Sequence, residues 1–332
     1  MECWLDERAG LPHISYLPKG ETLAYIPDEL LKCVVFLGYE DIDKRKHFAG
    51  SAFWISRPGP EDIRDTCRHA YLITAWHVVD YIQKRSIDGR VYMRVNTKNG
   101  VQEWHEIPLA CWKSHPNLAV DIAVMKIGIA PDLEHRVWPM ESCVINENLN
   151  PPDSTYTGDR KVELGDEVCF AGLFFPHSGI KKNIPVVRIG NIASLRNEPV
   201  LNRDNLPMDV YLVESHSIGG LSGSPVFIDI ITAKGVLPPN GGYTAAAYEH
   251  KSPSRFMLFG LVHGHFGEDL EPDSFADDGK DKVHINTGMA MVVPAEKINE
   301  ALEQFKGDEE LEITEARQKK SRFVVPDNKR TQ

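Results

Sequence analysis

The sequence predicts an all-β protein made of two six-stranded antiparallel β-barrels packed together, with a closing C-terminal helix. Short apolar or alternating segments recur between turn-rich breaks, and long segments with helical periodicity are almost absent. The segments form two series of six, separated by a polar stretch at 147–160. Many short strands at regular spacing are typical of sandwiches and barrels, so two series of six favour two barrels.

The predicted elements divide the chain into an N-terminal extension at 1–27, one domain at 28–306 and a charged, mobile tail at 307–332. Within the domain, barrel one spans about 28–135 and barrel two about 160–293. The predicted strands are 32–37, 51–55, 70–73, 91–95, 100–107 and 122–127, then 167–173, 185–189, 210–214, 226–230, 257–262 and 288–293.

Two helices are predicted, and the stretches 234–255 and 268–286 are expected to be loop insertions. The first helix, 75–83, follows a strand directly and has Thr74 as its expected N-cap. The second helix, 294–305, opens on a proline and places its apolar residues on one stripe.

Composition narrows the class of protein. The 332 residues are 42% hydrophobic and 26% charged, as in ordinary globular proteins, and the net charge of −11 is the wrong sign for a non-specific nucleic-acid binder. The N-terminus lacks the pattern of a secretory signal, and no apolar stretch approaches the length of a bilayer span. Six scattered cysteines without a Cys-x-x-Cys pair favour buried thiols over disulfides. We expect a cytoplasmic protein with no cofactor and no nucleic-acid or membrane partner.

The run Gly-Gly-Leu-Ser-Gly-Ser-Pro at 219–225 is the first candidate for chemistry, because it lies between two predicted strands. Its glycines leave backbone N–H groups free to converge, as an oxyanion hole requires. The chosen donors are the N–H groups of Gly220 and Ser222, with Ser222 as nucleophile. A plain Gly/Ser turn is the alternative interpretation. An α/β-hydrolase elbow does not fit, because Ser224 occupies the place of the last glycine and a strand follows.

A serine hydroxyl needs a base to take its proton, and His77 and Asp121 are the candidate partners. His77 lies where a strand passes into a short helix, and Asp121 opens the apolar strand DIAVMKI. Each alone has a plainer interpretation, as a structural histidine and as an exposed residue at the start of a strand. Together with Ser222 they occur in the order His, Asp, Ser, which chymotrypsin-type enzymes share and subtilisins do not.

These motifs resemble those of trypsin-like (chymotrypsin-fold) serine peptidases, nearest to bacterial relatives with a bare protease domain. The resemblance covers about 32–305 and rests on GSAFWIS, LITAWHVV, DIAVMKI, GGLSGSPVF, FGLVHGH and NTGMAMVVPAEKI. It implies a serine endopeptidase in which Ser222 attacks a peptide carbonyl, His77 relays the proton and Asp121 orients His77.

The chain departs from the family at several positions. Ala49 and Val78 stand where secreted members carry a disulfide, which is consistent with a reducing compartment. Leu221 replaces the aspartate that captures a new N-terminus in digestive relatives, so we expect no such activation. His263 falls where the family often has a serine that supports the triad aspartate. It is therefore expected either to hydrogen-bond to Asp121 or to face the specificity pocket.

The resemblance also implies a substrate pocket, which we expect to be open, polar and without a fixed charge. Its expected residues are His216, Ser217, Val262, His263, Gly264 and Gly288. The alternative for His216 is that it lies in a loop, exposed to solvent, and not in the pocket. His263 and His265, followed by acidic residues, are residue types that bind metal ions. Their spacing defines no third ligand, so no metal is expected.

Two other functions compete with the endopeptidase. One is a trypsin-fold binding protein or effector with little basal activity that a partner switches on. The other is an esterase that uses the same triad. The P1 preference, the natural substrate, self-association and any activating partner are not determined by the sequence.

Overall fold

The structure is a computed structural model that describes residues 26–64, 67–128, 130–149, 161–201, 206–215, 221–230, 256–270 and 283–323. This part of the chain is mostly β. Its helices are α1 (Asp28–Lys32), α2 (Trp76–Gln83), α3 (Ala295–Leu302) and α4 (Lys306–Phe323). The strands are β1 (Val34–Glu40), β2 (Lys46–Pro58), β3 (Arg68–Thr74), β4 (Arg90–Asn96), β5 (Gln102–Pro108), β6 (Lys113–Ser114), β7 (Ala123–Lys126), β8 (Trp138–Pro139), β9 (Glu167–Gly172), β10 (Val186–Ser194), β11 (Val200–Leu201), β12 (Pro207–Met208), β13 (Tyr211–Glu214), β14 (Pro225–Asp229), β15 (Phe256–Leu270) and β16 (Val283–Pro294).

The N-terminal half forms an eight-stranded sheet. Its order is β5-β4-β1-β2-β3-β7-β6, and β8 pairs in parallel with β2. The central strands β1 and β2 carry continuous runs of buried residues, which is why they lie in the middle of the sheet. The expected six-stranded first barrel is therefore not confirmed. The terminal strand β6 has only two residues and pairs with β7, so the described strands do not close the sheet.

The C-terminal half forms a closed six-stranded barrel in the order β10-β13-β16-β15-β14-β9, as predicted for the second series. Its longest strands, β15 and β16, pair from Gly260–Pro294 out to Leu270–Val283. The expected loop insertion at 268–286 is therefore partly a β-hairpin, and its residues 271–282 lie outside the described residues. The other expected insertion, 234–255, lies outside them entirely.

Both predicted helices are present. α2 begins at Trp76, and its N-cap is Ala75 rather than the expected Thr74. Thr74 instead ends β3, and its hydroxyl donates to the carbonyl oxygen of Ser51 at 2.6 Å. α3 packs its apolar stripe, including Ile298 and Leu302, into the core.

The charged C-terminal segment, where the sequence predicted no helix, forms α4, which covers 307–323 of the expected tail at 307–332. The segment is rich in residues with high helix propensity. It is also anchored, because Glu309 pairs with Arg57 at 3.2 Å and Glu312 pairs with Lys126 at 2.9 Å. The pattern of charges along this segment indicates exposure to solvent, because its partners Arg57 and Lys126 are far away in the sequence. Residues 324–332 lie outside the described residues.

The larger apolar cluster joins the sheet, the barrel and α3. It contains Phe36 from the sheet, Phe227 and Leu261 from the barrel and Ile298 from the helix. A smaller cluster lies mainly inside the barrel. The sheet, the barrel and α3 therefore share one core.

Two expectations from composition can be compared with the described residues. The five cysteines among them carry free thiols; those of Cys33, Cys67, Cys143 and Cys169 are buried, and that of Cys111 is exposed. No helix in these ranges is both long and apolar enough to cross a membrane.

Candidate active site

His77 and Asp121 form a two-point contact. Asp121 lies just before β7, and His77 is the second residue of α2. The backbone N–H of His77 donates to Asp121 Oδ1 at 2.8 Å, and His77 Nδ1 lies 2.6 Å from Asp121 Oδ2. Because both carboxylate oxygens contact the same residue, the orientation of the imidazole is defined and Nδ1 is assigned as the protonated nitrogen.

The two groups shift each other's proton affinity. Burial alone would raise the pKa of the Asp121 carboxyl, but hydrogen bonds from His263 and His77 outweigh it and hold that pKa well below its usual range. Partial desolvation opposes protonation of His77, but the hydrogen bond and charge of Asp121, with a contribution from Asp80, leave its pKa above the ordinary value. The His77 side chain is 43% exposed, so part of the ring is accessible to solvent.

Ser222 lies in the turn that leads into β14. The next residue, Gly223, has φ +79°, and a Cβ there would lie 2.2 Å from the carbonyl oxygen of Ser51 and 2.3 Å from Thr74 Oγ1. Only glycine fits this close approach in the left-handed region. The turn is held to β2 by a hydrogen bond from Ser51 N–H to the carbonyl oxygen of Ser222 at 2.9 Å.

The same turn lies beside the base of α2. A Cβ built on Gly50 would lie 3.0 Å from the carbonyl oxygen of Ser222 and 2.9 Å from the side chain of Val78. The main chain of Ser222 is therefore next to the residue that follows His77. The structure thus brings His77 and Asp121 into direct contact and places the Ser222 turn close to the helix that carries His77.

The Ser222 hydroxyl has a different partner from the expected one. It donates to the main-chain carbonyl oxygen of His263 at 3.2 Å. Between the described atoms of Ser222 and His77 there is no hydrogen bond. In this arrangement the hydrogen bond of Ser222 Oγ is to β15 and not to the imidazole.

Of the two alternatives for His263, the structure shows the hydrogen bond to Asp121. Its Nδ1 hydrogen-bonds to Asp121 Oδ2, the same oxygen that His77 contacts. The rings of His77 and His263 meet edge to face, with 5.3 Å between their centroids. Sequence reasoning did not foresee that two imidazoles share one carboxylate oxygen.

The other residues that were expected to line the pocket lie in different environments. Val262 is fully buried within the apolar cluster of the barrel. Gly288 has φ +78°, and its carbonyl oxygen accepts a hydrogen bond from the N–H of Ser215 at 2.7 Å. Gly264 lies on β15, and a Cβ there would meet no atom within 4 Å. His216, Ser217 and Gly220 lie outside the described residues, so the pocket and the oxyanion hole stay predictions.

Leu221 and Ser224 flank the turn. Leu221 is 3% exposed and packs into the cluster of the barrel, so this position supports the core. Ser224 is fully buried, and its N–H donates to the carbonyl oxygen of Leu221 at 2.9 Å. Its hydroxyl approaches Gly172 so closely that a Cβ on that glycine would lie 1.8 Å from it.

His77, Asp121 and His263 also form a cluster with the residue types of a metal site. One ligand atom from each lies within 4.8 Å of the others. Both imidazole Nδ1 atoms already contact the same carboxylate oxygen, however, and hydrogen bonding accounts for that arrangement. The cluster differs from the His263–His265 pair that the sequence suggested.

No protein-family model matches the chain, and no curated protein is significantly similar to it. Among solved structures, it is similar to Deg5, with 12% identity, a TM-score of 0.41, and coverage of 82% of this chain and 88% of that chain. It is also similar to an inactive mutant form of Rv3671c from M. tuberculosis, with 14% identity, a TM-score of 0.39, and coverage of 85% and 97%. Both TM-scores are below 0.5, so the fold is defined by the strand topology of this chain.

Proposed function

We propose that this protein is a trypsin-like serine endopeptidase with Ser222 as nucleophile, His77 as general base and Asp121 as the group that orients His77. The observation that carries the proposal is the two-point contact between His77 and Asp121, with the Ser222 turn beside it. An imidazole held by a carboxylate next to a hydroxyl is the arrangement that activates a serine.

In the proposed reaction, His77 Nε2 accepts the proton of the Ser222 hydroxyl as Oγ bonds to the carbonyl carbon of the peptide. His77 then donates that proton to the leaving amine, and an acyl-enzyme remains on Ser222. A water molecule, deprotonated by His77, attacks the ester and releases the acid. Asp121 remains ionised throughout, because its pKa is well below the usual range.

The oxyanion hole and the pocket belong to the same proposal. The N–H groups of Gly220 and Ser222 would donate to the oxygen that becomes negative in the tetrahedral intermediate. His216, Ser217, Gly264 and Gly288 would line an open pocket for the P1 side chain.

A second candidate is a partner-activated effector with little basal activity. It is favoured by one observation: the Ser222 hydroxyl donates to the carbonyl oxygen of His263 and not to His77. A partner that shifts the turn or β15 would free the hydroxyl for His77. An esterase that uses the same groups differs only in the leaving group.

Labelling with a fluorophosphonate probe tests the proposal, because the probe reacts with activated serines. The wild type and Ser86→Ala, which removes a serine outside the site, should label, and Ser222→Ala should not. A peptide library incubated with the wild type and Ser222→Ala then tests cleavage and reports the P1 preference. If folded wild type neither labels nor cleaves, the active enzyme is contradicted and the partner-activated effector is favoured.

A further inference from the structure

The segment 174–185 connects β9 to β10, and it begins beside the candidate active site. Just before it, the N–H of Leu173 donates to Ser51 Oγ at 2.8 Å, and Ser51 also holds the nucleophile turn through its own N–H. The segment then reaches the N-terminal sheet, where the N–H of Gln102 on β5 donates to the carbonyl oxygen of Lys181 at 2.8 Å. It therefore contacts both halves of the molecule.

A buried arginine fixes the first part of this segment. Arg94 of β4 is 4% exposed. Its guanidinium donates to the carbonyl oxygens of Ser178, Gly179 and Ile180 at 3.4, 2.8 and 3.2 Å. Gly179 has φ +86°, and a Cβ there would lie 2.0 Å from the carbonyl oxygen of Lys182, so only glycine fits this turn. The backbone of the turn is therefore ordered before any partner binds.

Asn183 fixes the other end of the turn. It is buried, its Nδ2 donates to the carbonyl oxygen of Arg94 at 2.6 Å, and its N–H donates to Asn96 Oδ1 at 2.6 Å. Asn96 Nδ2 donates in return to the carbonyl oxygen of Asn183 at 3.2 Å. Since both ends are held, the residues between them lose little backbone freedom on binding a partner, which favours affinity.

The turn presents apolar side chains to solvent. Ile180 is 93% exposed, and Ile184, which approaches Gly179 through its side chain, is also exposed. A single exposed apolar residue is common on protein surfaces. Here, however, the apolar residues lie on an ordered turn, where they can enter a pocket of a partner as a preformed anchor.

The same turn carries positive charge. Lys181 and Lys182 follow Ile180 directly, and the sequence contains no Asp or Glu at 168–197 although the net charge of the chain is −11. Among the residues that the structure describes, neither lysine forms an ion pair. Because the carboxylates of the chain do not neutralise these lysines, the turn attracts negatively charged partners.

The exposed residues of this turn are Ile180, Lys181, Lys182 and Ile184, and we call them the docking turn. We propose that the docking turn binds an acidic peptide segment that carries an apolar side chain. Carboxylates of the partner would pair with the lysines, and its apolar side chain would pack against Ile180. An anionic membrane fits less well, because its extended surface would also face other parts of a chain with net charge −11. The inference goes beyond the proposed function and does not require an active serine.

Fluorescence anisotropy tests the inference with a fluorescein-labelled synthetic peptide of Asp, Glu and Leu, bound to the Ser222→Ala protein so that cleavage does not interfere. Lys181→Glu and Lys182→Glu, each alone, should weaken binding about fivefold, since each removes an exposed ion pair and adds repulsion. Lys306→Glu on α4 makes the same change in net charge and should weaken binding less than about twofold. The Asn/Gln version of the peptide should bind more weakly than the acidic one.

The apolar contact is tested separately. Ile180→Ser should weaken binding of the acidic peptide about tenfold, because an isoleucine side chain is no longer buried in the complex. Ile87→Ser, at a position that is 59% exposed and outside the segment, is the matched control and should leave the affinity unchanged. Equal affinities of wild type and the lysine variants, or of Ile180→Ser and Ile87→Ser, would overturn the inference.

Vesicles distinguish a membrane from a peptide as the partner. The protein should not sediment with vesicles of phosphatidylcholine and phosphatidylserine. Sedimentation that Lys181→Glu abolishes, without binding of the acidic peptide, would also overturn the inference. Fluorophosphonate labelling of the wild type reports the proposed function independently. A protein that labels but does not bind the peptide contradicts only the docking turn, and one that binds but does not label contradicts only the active enzyme.

Discussion

At the scale of single residues, Asp121 decides the properties of the site. It lies beside two imidazoles with its side chain 11% exposed, and their hydrogen bonds keep its pKa low although desolvation would raise it. In turn it keeps the pKa of His77 above its ordinary value, although desolvation opposes this. The ordered carboxylate therefore makes His77 a better proton acceptor than a free imidazole.

The pH dependence of labelling tests this pairing. Only neutral His77 can accept the serine proton, so the rate should fall as the pH drops through the pKa of His77. Since that pKa is raised, half-maximal labelling should occur above about pH 6.5, the ordinary value for histidine. Circular dichroism across the same range controls for unfolding. A half-maximum below pH 6 in folded protein would contradict the pairing.

At the scale of elements, α4 is the clearest departure from the sequence pattern. It packs through Glu309, which is 7% exposed although it is a carboxylate on a charged helix. The Tyr71 hydroxyl donates to Glu309, and Arg57 Nη1 lies 3.2 Å from it. Burial, followed by that hydrogen bond, raises the pKa of Tyr71 well above its usual range. A buried ionic contact therefore anchors α4 to the N-terminal sheet.

Glu309→Ala should lower the free energy of unfolding by about 1–3 kcal/mol, because it leaves the buried Tyr71 hydroxyl and part of Arg57 without an acceptor. Urea denaturation measures the change. Glu310→Ala, at the next and exposed position of the same helix, is the matched control and should change stability by less than about 0.5 kcal/mol. Equal effects of the two substitutions would show that the contact does not anchor the helix.

At the scale of the whole molecule, the sheet and the barrel share one core. The larger apolar cluster contains residues of both halves and of α3. Ser51 on β2 adds polar contacts between the halves, since its Oγ accepts a hydrogen bond from the N–H of Leu173 at 2.8 Å and its N–H donates to Ser222. The turn that carries the nucleophile therefore depends on the docking of the two halves.

Thermal unfolding should accordingly show a single cooperative transition for the sheet and the barrel. Separation of the halves would expose the shared cluster, so neither half is expected to remain folded alone. Calorimetry compared with circular dichroism measures this, and equal calorimetric and van't Hoff enthalpies are expected. Two resolved transitions, or a stable fragment 1–146, would show that the halves are independent.

The sequence by itself determined most strands, α2, α3 and the three candidate residues. Strand segments are visible because apolar residues alternate or cluster locally, as in β1 and β14. The serine motif is visible because its glycines are contiguous; Gly223 does adopt a positive φ. These features depend on neighbours along the chain.

Only the tertiary structure decided the closure of the sheets, the order of α4 and the environment of Asp121. Closure depends on which edge strands meet, and no local pattern shows that β6 pairs with β7 but not with β5. The anchoring of α4 depends on Arg57, which is about 250 positions away in the sequence. His263 lies where the register between β15 and β16 shifts, and its side chain gives Asp121 a second imidazole. Contacts of this kind join distant parts of the chain, so they are set by packing rather than by local residue pattern.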